Sequence, residues 1–243
     1  MSDVMKKIIL YAAVLFSAVS CKVEYGESGY LTSGQLQSYA SDIVYVVVED
    51  MRILNLLIDI DEYLSMTQEE QKDSPFYGLL MHEDGETLVM DLGAMDKTVF
   101  RTGGKSINGT GAVWTVENYP GGRSYYSSGV CASVECTGTD KWSMNTVDDG
   151  QGIEMRFDIQ KTGSTDTGRA FSMTFSGTET DGNYRSEFRN EDGACSYLYQ
   201  GEQLTGTFAG SLIIDIYENG TRKDWCRVTC SEDWSIVMET SRD

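Results

Sequence analysis

The chain has 243 residues, with 19 Lys and Arg against 38 Asp and Glu, a formal charge of -19. That balance argues against nucleic acid as a partner, because a phosphate backbone repels such a chain, and anionic lipid repels it in the same way. Only 2 Pro but 25 Gly, with abundant Tyr and Thr, suit strands and turns rather than a disordered coil, and the length fits one large domain or two small ones.

Met5-Lys6-Lys7 precedes an apolar run from Ile8 to Val19, which closes on Ser20-Cys21. A basic start, an apolar core and a small residue before a cleavage point make residues 1–20 a secretory signal peptide. The apolar core is about half of the ~20 residues needed to span a bilayer, so it is not a membrane anchor. Ala18-Val19-Ser20 also reads as a site for ordinary signal peptidase. The ending at Ser20-Cys21 resembles the lipobox of bacterial lipoprotein precursors, although Ala18 stands where that family favours Leu. The resemblance implies diacylglycerol on the Cys21 sulfur, cleavage before Cys21 and acylation of the new amine. The implied address is the cell envelope. Lys22, where inner-membrane retention in enteric bacteria wants Asp, turns it toward the outer membrane.

Residues 21–34 are polar and carry Gly26, Gly29 and Gly34, as a lipid-anchored tether would. Residues 35–74 form a helical segment. Leu36, Ala40, Ile43, Val47, Met51, Leu54 and Ile58 recur at three and four residues, the spacing of one helix face. Ser33 is the candidate cap. Ile43 to Val48 is rich in β-branched residues, which predicts a helix in two pieces. Thr67-x-x-Glu70 is a capping box for a further short helix, which Ser74-Pro75 ends.

Residues 75–243 read as an antiparallel β domain, so the fold class is mainly β behind an N-terminal helix, α+β overall. Asp84-Gly85 and Asn219-Gly220 sit between apolar runs, as hairpin turns do. Met155, Phe157 and Ile159 alternate with Arg156, Asp158 and Gln160, and Phe171, Met173 and Phe175 with Ser172, Thr174 and Ser176. Period two with one apolar face predicts half-buried strands in a sandwich, a barrel or a long meander.

Five cysteines follow Cys21: Cys131, Cys136, Cys195, Cys226 and Cys230. Cys226 and Cys230 share a face of one strand but lie ~13 Å apart at ~3.3 Å per residue. A disulfide needs Cα atoms within ~7 Å. Any disulfide should therefore join one of these two to Cys131, Cys136 or Cys195, the other reading being buried free thiols. The cysteine spacings are too loose for a zinc site, and the sequence calls for no metal or cofactor.

No set of residues has the spacing of an active site. His82 is the only histidine and lies beside a turn. Gly103-Gly104-Lys105-Ser106 lacks the leading glycine of a phosphate loop. Tyr125, Tyr126, Tyr197 and Tyr199 lie near glycine turns, which makes them the candidate exposed aromatics for stacking on a glycan. The expectation is a non-enzymatic binding or structural module in the envelope. It would be held to the membrane by its lipid, with glycan or another envelope protein as partner. The alternatives are a glycan-active hydrolase using paired carboxylates, or an adhesion or assembly subunit that pairs by strand addition.

Overall fold

Thr32, not Ser33, caps the first helix: its hydroxyl accepts from the Gln35 amide while the Gln35 side chain accepts from the Thr32 amide. From there α1 runs unbroken over Ser33–Ser65. At 1.5 Å per residue its 33 residues span about 50 Å. The expected break at Ile43 to Val48 does not occur. Weak intrinsic propensity is overridden there because Ile43, Val44, Val47 and Val48 are all buried against the sheet. The capping box at Thr67 and Glu70 opens α2, Gln68–Asp73, which ends at Ser74.

These helices belong to a computed structural model that describes residues 32–74, 77, 80–82, 87–91, 97–101, 118–119, 122–127, 130–148, 152–165, 168–200, 205–232 and 236–240. Residues 1–31, Cys21 among them, lie outside that set, and the last three residues expected in the tether, Thr32, Ser33 and Gly34, instead cap and open α1. No helix among the described residues is long and apolar enough to cross a membrane.

The described strands form two antiparallel sheets. The smaller holds β1 (Leu80–His82), β2 (Thr87–Asp91) and β3 (Lys97–Arg101) in sequence order. The larger is a ten-stranded meander in which each strand pairs with its neighbour in sequence. It starts with β4 (Asn118–Tyr119), β5 (Gly122–Ser127), β6 (Val130–Gly138) and β7 (Lys141–Asp148). It continues through β8 (Ile153–Thr165), β9 (Gly168–Asp181), β10 (Tyr184–Gln200) and β11 (Thr205–Glu218), and ends with β12 (Thr221–Cys230) and β13 (Ile236–Thr240). Of the three sequence-level alternatives, the meander is the one found. Asn219 and Gly220 join β11 to β12 with both residues at positive φ, the conformation of a type I′ turn.

One face of the meander packs on α1. Met155, Phe157 and Ile159, then Phe171, Met173 and Phe175, then Leu212, Ile214 and Ile216 are all buried. Their neighbours Glu154, Arg156, Asp158 and Gln160 are exposed on the opposite face. The helix is enclosed broadly rather than along one stripe. Buried residues from Ile53 round through Leu36 to Val48 cover an arc of about 220° at 100° per residue. A sheet that covers so much of a helix must curl. Register shifts in β8, β10 and β12's pairing with β11 supply local bends. Gly177 is needed for this closeness: a Cβ there would strike the Phe188 ring and lie 2.7 Å from the Glu154 carbonyl oxygen.

Candidate functional site

Two polar constellations stand out, one on each face of the meander. The inner one lies in the seam between α1, β7 and β10. Glu49 and Asp50 interrupt the apolar run of α1, and the wrap of the sheet leaves Asp50 5% exposed. The Thr146 hydroxyl on β7 donates to Asp50 Oδ2 at 2.7 Å. Glu49 is paired with Arg52 one turn on. Burial pushes the Asp50 carboxyl up to about 7; the Thr146 hydrogen bond opposes this, and the nearby charges of Glu49 and Asp148 add to it. Burial likewise pushes Glu49 up to about 7, against the pull of Arg52 and a hydrogen bond from Tyr45.

Tyr197 on β10 completes the seam. Its hydroxyl is buried and feels the charges of Arg52 and Glu49. Gly206 leaves room for it, since a Cβ there would overlap the phenol. Tyr197 Oη, Glu49 Oε2 and Arg52 Nε have no hydrogen-bond partner among the described residues. Two further polar links tie α1 to β9. Tyr39 donates to Glu179, and Arg169 reaches Asp59 at 2.6 Å and Glu62 at 3.0 Å.

The outer constellation lies on β10, β11 and β12, on the face turned away from the helix. The register sets three cross-strand rows: Arg185, Tyr217 and Arg222; Glu187, Asp215 and Trp225; Arg189, Ile213 and Arg227. Asp215 is 6% exposed at the centre, because two guanidiniums close over it. Arg189 donates to Asp215 Oδ2 at 3.1 Å, and Arg222 donates to Oδ1. Both arginines remain about half exposed, at 52% and 48%. Arg227 bridges Glu191 on β10 and Glu239 on β13, and its hydrogen bond and charge hold the Glu191 carboxyl below the usual range. Tyr217 and Trp225 are partly exposed between these arginines.

The expectation of exposed aromatics fails at two of the four tyrosines. Tyr197 and Tyr199 are 1% and 2% exposed, because Cys195, Tyr197 and Tyr199 share the inward face of β10. Tyr125 and Tyr126 lie on β5, with backbones opposite Ala132 and Cys131. Their side chains fall outside the described residues, as does that of His82.

The cysteines are likewise free thiols at Cys136, Cys195, Cys226 and Cys230. No cross-strand disulfide joins these four, for a reason visible in the register. Cys226 faces Ile214 and Thr240, and Cys230 faces Gly210 and Ile236. Cys195 approaches Cys230 only across Gly210, whose Cβ would sit 2.5 Å from the Cys195 sulfur. Two strand spacings amount to about 9.6 Å, beyond the ~7 Å reach of a disulfide. Burial pushes the Cys195 and Cys230 thiols up to about 11 and Cys226 up to about 12, so they are poor nucleophiles. The Cys131 backbone pairs with Tyr126 and Val147, and its side chain lies outside the described set. Among the described residues no group of three or more His, Cys, Asp or Glu could hold a metal ion.

Neither constellation was singled out from sequence. Glu49-Asp50 in the middle of an apolar helical run was the available signal for the first. Alternating Arg and Glu at Arg185, Glu187, Arg189 and Glu191 was the signal for the second. Comparison with known proteins adds no assignment: no protein family, no curated protein and no solved structure matches the chain.

Proposed function

We propose that the protein is a lipid-anchored envelope protein whose β domain works as a non-enzymatic binding or structural module. Acylation at Cys21 holds it to the outer membrane, since two acyl chains suffice for stable anchoring. The observation that carries the binding reading is the outer face of β10 to β12. The inner face is filled by α1, so a partner meets the outer one. There, partly exposed Tyr217 and Trp225 stand among half-exposed guanidiniums held in place by Asp215. Aromatic faces stack on sugar rings, and the guanidinium fork takes up carboxylate and hydroxyl oxygens. A glycan is the ligand this chemistry suits, with Tyr217 and Trp225 taking the stacking role expected of Tyr197 and Tyr199, which are buried.

A glycan array probed with the full chain, wild type and Trp225→Ala, tests the reading. The expected result is wild-type binding that the variant loses. An array blank for wild type removes the glycan. Cys21→Ala should abolish membrane fractionation, and a wild-type mature chain that carries no acyl group removes the anchor.

Assembly by strand addition is favoured by a different observation. β13 is the last strand of the large sheet, and its Val237 is 63% exposed. An edge strand of this kind, β-prone and without Pro, is a template for pairing with another chain.

A further inference from the structure

We propose that the seam between α1, β7 and β10 is a proton-operated latch. With Asp50 protonated the helix is seated on the sheet, and loss of that proton loosens its central turns. The argument begins with the groups that face one another. From α1 come Glu49, Asp50, Arg52 and Tyr45; from β7, Thr146 and Asp148; from β10, Tyr197. Three carboxylates thus share the seam with one cation, and that cation is paired with Glu49. Asp50, the more buried of the two adjacent acids, is met by a hydroxyl alone. The other ties flank the seam along the helix, at Tyr39 with Glu179 on one side and at Arg169 with Asn55, Asp59 and Glu62 on the other.

An ionised carboxylate in such a place must either draw in water or move away from its surroundings, because burial disfavours the charged form and Asp148 and Glu49 repel it. Both acids have folded values near 7, above the ordinary carboxylate range of the unfolded chain. The sign follows. The folded state holds protons that the unfolded state has already released, so the seam's contribution to stability is complete below about pH 4. It declines as the pH rises toward and through 7.

The latch acts where unlatching would matter most. The seam lies at the middle of the helix that fills the inner face. Loosening there uncovers the apolar inner strands while the Arg169 ties at the far end of the helix remain.

Hydrogen exchange of the α1 amides in the full chain, corrected for intrinsic rate, reads the opening directly. Between pH 5.5 and pH 8, wild-type exchange across residues 43–55 should rise by more than about tenfold, the change that one pKa unit supplies. Asp50→Asn should remove most of that rise. Asp158→Asn, an exposed acid on β8, changes the net charge equally and should leave the rise intact. A flat wild-type profile, or the same rise in Asp50→Asn as in wild type, overturns the latch. Should Asp50→Asn not fold, Thr146→Val serves instead. It removes the hydrogen bond that favours the ionised form, so its opening should begin at lower stability and its Asp50 titration should move to higher pH. Carboxyl carbon NMR shifts of the wild type that titrate in the ordinary carboxylate range also overturn it.

Discussion

Asp50 and Asp215 are buried to nearly the same degree, 5% and 6% exposed, yet the two faces of the sheet treat them differently. Asp215 lies on the outer face, where long side chains can fold over a carboxylate and keep their charged ends in water. Arg189 and Arg222 do this from the two flanking strands. Asp50 lies on the inner face beneath a helix, where its partner is a threonine hydroxyl. A buried carboxylate needs either a cation or a proton. The outer face supplies the cation, and the seam around Asp50, where Arg52 is committed to Glu49, favours the proton. The same residue type is therefore clamped between two guanidiniums on one side and met by a hydroxyl on the other.

If the inner face is the sealed one, truncations there should dominate the stability of the domain. Phe208 is fully buried and meets the Phe175 ring edge-on, 6.1 Å between centroids. Phe208→Ala should destabilise by about 3–5 kcal/mol in urea unfolding, the range for an aromatic removed from a packed core. Trp225→Ala on the outer face should lose well under half as much. Equal losses would mean that the outer face is packed against something too, and that the contrast drawn from Asp50 and Asp215 is misplaced.

A smaller effect separates the two aspartates themselves. Asp215→Asn weakens two ion pairs whose arginines are half exposed, so the loss should be about 1 kcal/mol in total. It should shrink in high salt, because exposed charges are screened. The effect of Asp50→Asn, in contrast, should follow pH and change little with salt. Stability measured at low and high ionic strength for both variants checks the pair. An Asp215→Asn loss that ignores salt would show that its guanidiniums act by packing rather than by charge.

Much of this architecture is legible in the residues, and the failures have physical causes. The alternation at Met155, Phe157 and Ile159, the Asn219-Gly220 turn and the Thr67 capping box each depend on local chemistry, and each element forms as read. The unbroken α1 is a different matter. Its β-branched middle favours a strand locally, and only the enclosing sheet makes it helical, so no short window carries the answer. The inward face of β10 was obscured by Leu198, an apolar residue that stands 38% exposed on the outward side. With Leu198 in the row, the alternation of Cys195, Tyr197 and Tyr199 against Ser196 and Gln200 is blurred, and nearby glycines suggest a turn. The Glu49 and Asp50 seam depends on β7 and β10, about a hundred and a hundred and fifty residues away. Sequence spacing cannot show which strand will face a helix across a meander of this length.

The smallest effect on the fold belongs to the edge. Val237 is the most exposed of the large apolar residues described, and its side chain makes little contribution to the core. Val237→Lys should therefore change unfolding free energy by no more than about 0.5 kcal/mol, as surface substitutions do. A lysine on an edge strand nevertheless hinders the approach of another strand, by charge and by the desolvation it demands. If β13 recruits another copy of the chain, wild-type protein should sediment as an oligomer at concentrations where Val237→Lys stays monomeric. The two should have the same melting temperature at dilution. Wild type that stays monomeric throughout, or a variant that associates equally well, removes self-assembly through this edge. The outer face of β10 to β12 would then stand alone as the surface that meets a partner, because its arginines and aromatics do not depend on whether the edge is paired.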